Sequence, residues 1–312
     1  MPTFIEKHTQ VSIASAAAFL IIHVACLLLI LPIQVTNILY RNYSSVKANS
    51  TKLNHLIFLG FYLTMVGMIL NTVIEAWPRS LNIYMLSNIC KTLPWFLNIG
   101  TTLVIGTVCA KTWRLYRIYT SSMSRARFNS KRVADCALIG YVGVFTSVDG
   151  LLCLLWTCVD PPKYTKTVSE SKTSPMITVT GFCQSTWLVY WTSAQILYKC
   201  LMILCTFFLA LRTKLGQKEF KTNNVIILSY ILAVAVGLGI PIFAIVTIAD
   251  VSVMTRFIIA SVFVDIIIYI SLFTLFLPSI IPLIVKNKHC QKGNRQSYKL
   301  NTFGSTFKSQ GN

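Results

Sequence analysis

The chain carries 312 residues, 54% of them hydrophobic and only 12% charged, with a formal net charge of +19; its mean hydropathy is +0.65. A soluble domain usually holds about a quarter charged residues, so an ordinary soluble fold is excluded and an integral membrane protein is indicated. In that setting the basic excess reads as the positive-inside bias of membrane loops, and no nucleic-acid partner is expected.

Met1–Gln10 contains Glu6, and no cleavage site of small residues follows Phe19–Leu31. No secretory signal fits, and the first apolar run is expected to stay as a helix. Seven apolar stretches are each long enough for a hydrocarbon core that takes about 20 residues. They are placed near Ile13–Tyr40, Leu53–Ala76, Met85–Ala110, Val133–Cys158, Trp191–Leu211, Val225–Ala249 and Arg256–Val285. Because the runs are continuous rather than alternating, they predict an all-α membrane protein, a seven-transmembrane helix bundle, and sheet is not expected. The chain divides into a short outer N-terminus (1–12), the bundle (13–285) and a basic tail (286–312) read as disordered. No internal repeat is present, which weighs against a transporter built from inverted halves.

Connector charge sets the orientation. The loops Arg41–Lys52, Lys111–Arg132 and Arg212–Lys221, with the tail from Lys286, hold 20 of the 28 Lys and Arg, against 7 on the opposite side. This asymmetry predicts an N-terminus outside and a cytoplasmic C-terminus. Two glycosylation sequons, Asn42-Tyr-Ser and Asn49-Ser-Thr, fall in the first basic loop and are expected to be unused.

The sharpest boundary is Cys109–Thr120, CAKTWRLYRIYT. Leu93–Ala110 is uncharged; then Lys111, Arg114 and Arg117 recur at three-residue steps, along one side of a helix, beside Trp113 and Tyr116. A spanning helix meets a lipid interface in this way, with rings at headgroup level and basic side chains reaching anionic lipid.

Six cysteines, Cys26, Cys109, Cys136, Cys153, Cys200 and Cys205, lie in or at the ends of spans and read as packing residues. Cys90, Cys158 and Cys183 fall on the outer, oxidising side. A Cys90–Cys183 bridge would tie the long connector Val159–Tyr190 over the bundle. Cys158–Cys183 is the competing pairing, because spacing does not fix connectivity. Cys290, just past the last span, is either a palmitoylation site or a free thiol.

Charges inside the spans are costly. Asp149, Lys199 and Asp265 are of this kind, with Glu75 near the outer end of the second span. They read either as a polar network or proton path between helices, or as groups paired or hydrated locally. Gly237, Gly239 and Pro241 in AVAVGLGIPIFAIV would bend the sixth helix as a hinge, or admit a close neighbour. Enzyme chemistry has no support: HExxH, GxSxG and paired-cysteine zinc spacings are missing, and His8, His23, His55 and His289 are scattered. No cofactor or metal is expected, and the lack of a lysine in the last span argues against a retinal protein.

Further residues stand out by order and spacing. Cys90 heads the third span, which ends in AKTWRLYRIY (Ala110–Tyr119). Asp149, Trp156 and VDP (Val159–Pro161) follow, then Cys183, Trp187, the Tyr198–Lys199 pair and ALRTK (Ala210–Lys214). Tyr230 stands eleven residues before Pro241, and the seventh span ends in LFLPSIIPLI (Leu275–Ile284). In this arrangement the chain resembles the seven-helix domain of class C G protein-coupled receptors, and within it the GABA-B receptor branch, from about Met85 to the end of the last span. The Asp-Arg-Tyr and NPxxY signatures of class A are missing. Ser279 stands where the family usually shows a basic residue after LFLP. Lys221 stands where GABA-B subunits carry an acid facing the lysine of span three, Lys111 here; Glu219 is the nearest carboxylate. About a dozen residues precede the first span, too few for the family's bilobed ligand domain. Amino-acid binding in that manner is not expected, whether the outer domain is absent by nature or the chain is a fragment or alternative product.

The resemblance implies a plasma-membrane receptor that rearranges its helices, couples to a heterotrimeric G protein and forms dimers with itself or another class C subunit. Lys111, Arg114, Arg117, Arg125, Arg127, Lys214 and Lys221 would form the G protein docking surface, or meet lipid phosphates. A non-signalling partner subunit is one alternative. A transporter or channel is the other, and it would need Asp149, Lys199 and Asp265 on one continuous polar path.

Overall fold

Without water in a bilayer core, every backbone N–H and C=O must be satisfied inside its own segment, so the apolar runs form helices. The computed structural model describes residues 5–8, 13–40, 51–76, 81–123, 135–170, 176–215, 224–248 and 255–276. Among these lie seven helices: α1 (Ile13–Leu39), α2 (Thr51–Ala76), α3 (Ile83–Met123), α4 (Asp135–Val159), α5 (Leu188–Leu215), α6 (Asn224–Ile248) and α7 (Thr255–Phe276). Six are long and apolar enough to cross a membrane; the apolar part of α6, Asn224–Gly239, is shorter, within a helix of 25 residues. The expected bundle is therefore present, and the protein is a multi-pass membrane protein.

Helix α3 is the exception in length. It runs 41 residues, past the expected end at Ala110 to Met123. The segment after Ala110 holds neither Gly nor Pro, so nothing stops a helix already nucleated upstream. The two sequons, the end of the seventh span beyond Phe276 and the tail 286–312 lie outside the described residues.

Several threonine hydroxyls in the spans are satisfied locally. Thr64, Thr72, Thr107, Thr206 and Thr213 each donate to the carbonyl one turn back, at 2.6–2.9 Å. A threonine can thus sit in hydrocarbon without a partner on another helix.

Helix α3 is the axis of the bundle, touching α2, α4, α5 and α6. Its closest neighbour is α2, and glycine makes the approach possible. A Cβ on Gly100 would lie 2.5 Å from Thr64 Oγ1, 2.7 Å from the Thr64 nitrogen and 2.9 Å from the Gly60 oxygen. One on Gly60 would lie 2.7 Å from the Gly100 oxygen. Lipid is as apolar as leucine, so helices here associate through such close packing rather than by escaping water. Around this seam the buried core gathers Ile57, Phe58, Phe61 and Met65 of α2, Val104, Ile105 and Val108 of α3, and Ile268, Leu272 and Phe276 of α7. Phe58 and Phe276 stack with ring centroids 4.4 Å apart.

One element was not expected. The connector between α4 and α5 folds into an antiparallel hairpin, β2 (Lys163–Glu170) and β3 (Met176–Gln184), in the register Lys163↔Gln184 to Glu170↔Ile177. Strand β1 (Ile5–His8) joins it parallel to β3, giving the order β1-β3-β2. The sequences KYTKTVSE and MITVTGFCQ are rich in β-branched residues, a signal that composition dominated by helices conceals. Within the hairpin Tyr164 lies across Gly181, where any side chain would overlap its ring. The sheet places the segment before α1 at the same end of the bundle as the hairpin.

Candidate functional site

Polar side chains gather at three levels along the bundle. In its middle, Asp149 of α4 is fully buried. Its Oδ1 lies 3.3 Å from Lys199 Nζ of α5, and its Oδ2 accepts a hydrogen bond from Thr102 of α3 at 2.7 Å. Lys199 Nζ also donates to Asn98 Oδ1 at 2.9 Å and to Gln195 Oε1 at 3.2 Å. An ammonium has three donors, and here each finds an acceptor; both carboxylate oxygens are engaged too. The cluster is a satisfied ion pair that ties three helices together. Breaking one side of such a pair leaves a bare charge, which is what makes it rigid.

Asp265 does not join this cluster, which corrects the expectation of a single network. It sits on α7 with Oδ1 3.3 Å from His23 Nε2 of α1. Spacing along the chain carries no information about which neighbour a helix face meets, and α7 turns this carboxylate toward α1. His23, scattered by sequence, acquires its importance only through this contact.

At the hairpin end, Cys90 at the head of α3 is bonded to Cys183 of β3, with Cα atoms 5.6 Å apart; Cys158 is free. Asp160, just past α4, accepts the backbone N–H of Trp187 at 2.7 Å and of Thr186 at 3.0 Å. These are the donors left open ahead of α5, so a carboxylate there is stabilised by the positive end of that helix. The Trp187 N–H, and then that of Thr186, hold the Asp160 carboxyl below the usual carboxylate range. Trp156 Nε1 donates to Ser185 Oγ at 3.2 Å and stacks on Trp191. Burial, then the nearby Glu75, pushes the Tyr164 phenol up. The role of Asp160 was not legible, because its partners lie more than twenty residues along the chain.

At the basic end the predicted cations separate. Lys111 is only 5% exposed. Its Nζ donates to Asn54 Oδ1 of α2, and Asn54 Nδ2 donates to Asn37 Oδ1 of α1 at 3.4 Å. Lys111 is therefore a link between helices and not part of a docking surface: it points inward, where Arg117 points out. Thr112 and Ser229 approach to 3.3 Å across α3 and α6. Arg114 pairs with Asp135 in the first turn of α4 at 3.1 Å. Arg117 is exposed, its guanidinium 6.0 Å from the centre of the Trp113 ring. Lys214 lies 5.5 Å from the Tyr230 ring and Arg212 lies 5.0 Å from that of Phe208. These exposed cations resting on aromatic faces suit an anionic surface. Arg125, Arg127, Glu219 and Lys221 lie outside the described residues.

The three hinge candidates differ from one another. Around Gly237 a Cβ would meet open space, whereas on Gly239 it would fall 2.5 Å from the Phe263 ring of α7. Pro241 lies within α6, which continues past it to Ile248. Gly239 thus serves a close approach of two helices, and Gly237 does not.

Comparison with known proteins agrees with this architecture. Residues 9–279 match the family described as "7 transmembrane sweet-taste receptor of 3 GCPR". The gamma-aminobutyric acid type B receptor subunit 2 of Homo sapiens is 26% identical over 184 residues, 57% of this chain and 19% of that protein. The probable G-protein coupled receptor 156 of Mus musculus is 30% identical over 190 residues, covering 59% of this chain and 23% of the relative. Metabotropic glutamate receptor-like protein E of Dictyostelium discoideum is 27% identical over 156 residues, 48% of this chain and 18% of that protein. Each match spans about a fifth of the relative's length.

Proposed function

The chain belongs to the class C family of seven-helix G protein-coupled receptors, a family of receptors rather than enzymes, and from that premise we propose that it signals across the plasma membrane to a heterotrimeric G protein. The N-terminus faces outside and the tail faces the cytoplasm. Signalling proceeds by rearrangement of helices, because a ligand or partner that prefers one arrangement shifts the population toward it. The exposed cations Arg117, Arg212 and Lys214, set on aromatic rings at the ends of α3 and α5, carry the reading: they offer a basic platform to acidic groups of a G protein. Arg125, Arg127 and Lys221 are assigned to the same docking role from the sequence. Arg114, tied to Asp135, fixes the end of α3 against α4. The protein acts as a homodimer or beside another class C subunit.

Pairing of Asp265 with His23, away from Asp149 and Lys199, disfavours a transporter, which needs one polar path. The test is nucleotide exchange on a panel of G proteins in membranes carrying this chain, without added ligand, against the Arg114→Ala, Arg117→Ala variant. Exchange above background that is lost in the variant supports the proposal. No exchange with any G protein would overturn autonomous coupling in favour of a non-signalling partner subunit.

A further inference from the structure

Between α1 and α7 runs a seam whose contacts are almost wholly apolar. Phe19 meets Phe257 edge to face at 5.5 Å, and Cys26 and Ile30 pack in one core with Ile268 and Leu272. The residue numbers rise together, so the two helices are parallel. In the middle of this seam sits one ionisable pair, His23 and Asp265, each ten positions from the start of its helix, a depth of about 15 Å. His23 has no exposed surface, and the Asp265 side chain is 8% exposed.

The pair is close but not aligned. His23 Nε2 and Asp265 Oδ1 lie 3.3 Å apart, yet neither atom has a hydrogen-bond partner among the described residues. His23 Nδ1 is equally unpartnered, as is the buried hydroxyl of Ser261, one turn before Asp265 on α7. The contact is therefore one of charge rather than of direction. The titratable groups facing the pair among the described residues are Cys26 on α1 and Tyr269 on α7.

Charge in hydrocarbon decides what this pair can hold. With one proton between them the residues are net neutral, whichever carries it. Without that proton a bare carboxylate remains, and with a second one a bare imidazolium; both are unpaired charges in the bilayer. We propose that His23 and Asp265 share a single proton and act as an electrostatic latch that holds α7 against α1. Parting the helices ends the sharing, so that each residue exchanges protons with the solvent on its own. Opening of this seam is thereby linked to pH. The proposal is independent of G protein coupling and needs no signalling assay.

Thermal unfolding of the full chain in lipid nanodiscs, between about pH 5 and about pH 8 where histidine and carboxylate states change, tests it. The unsubstituted protein should show a level midpoint below about pH 6.5 and a falling one above it, because the folded pair keeps one proton that the unfolded chain then releases. In His23→Leu, the lone buried Asp265 must keep its proton while the unfolded chain releases it, so the midpoint should fall as pH rises. In Asp265→Asn the lone buried His23 must stay neutral while the unfolded chain takes up a proton, so the midpoint should fall as pH drops. Each single variant should lose roughly 5 °C or more at its unfavourable end. The exchange variant, His23→Asp with Asp265→His, should recover the profile of the unsubstituted protein, level below about pH 6.5. Single variants whose profiles run parallel to that of the unsubstituted protein would overturn the latch. So would an exchange variant that, below about pH 6.5, slopes like either single one.

Discussion

Lys199 and Asp149, fifty residues apart in sequence, meet at 3.3 Å in the middle of the bundle, and each is saturated by neutral partners from α3 or α5. A charge pair so enclosed holds its helices together less by its net energy than by the penalty for separating it. Continuum reasoning makes the intact pair nearly neutral against an apolar replacement, and makes half of it expensive.

Substitution should therefore be strongly non-additive here. Lys199→Met and Asp149→Leu should each destabilise the protein by about 3–5 kcal/mol, since each strands an unpaired charge. The double variant, which leaves no bare charge, should cost less than either single one. Denaturation of the purified protein in nanodiscs measures all three, and strict additivity would mean that the contact contributes nothing as a pair.

A second expectation concerns two glycines of opposite character. Gly100→Ala forces a methyl group to 2.7 Å from the backbone nitrogen of Thr64 and 2.9 Å from the Gly60 oxygen. Backbone cannot rotate away as a side chain can, so a loss of about 1–3 kcal/mol should follow. Gly143→Ala meets nothing within 4 Å and should gain up to about 1 kcal/mol from helix propensity. Paired melting curves check both, and equal effects at the two positions would contradict the described seam.

Acid should act at Asp160. Its folded carboxyl titrates below the unfolded one, chiefly because of the Trp187 N–H. Such a group contributes stability above its unfolded value, and that contribution fades as pH falls through the folded value. The window lies from about pH 4 downward. Asp160→Asn should accordingly flatten the acid limb of the stability profile and leave a constant offset near neutrality. An unchanged acid limb in a pH titration of the melting midpoint would sink this account.

Helix number and type were legible because hydrocarbon enforces them: a run of apolar residues long enough to span has one way to satisfy its backbone. The Cys90–Cys183 bridge was open between two pairings by sequence, and folding of the hairpin brings Cys183 to the head of α3. The direction in which each polar group points was not legible. Lys111 and Arg117 are two of three basic residues at matched spacing, yet one is buried against Asn54 and the other lies exposed over Trp113. Six residues carry a helix position through about 600°, which leaves the two side chains about 120° apart, and only the placement of α2 decides which side is inside. Asp265 illustrates the same limit, since its partner lies at the opposite end of the chain. The three-stranded sheet was masked for another reason, because its strands occupy a connector between two strongly apolar spans.

The approach of Gly60 to Gly100 also restricts how this bundle is able to move. At that crossing the two backbones fit only while glycine faces glycine. Sliding α2 along α3 by one turn, about 5.4 Å, would drive a side chain such as Thr64 or Leu97 into the slot. Axial ratcheting of this pair is thus blocked in both directions. The α2–α3 unit serves as a fixed frame of reference, further pinned where Cys90 joins the hairpin. Any change of state is left to the helices that turn around it.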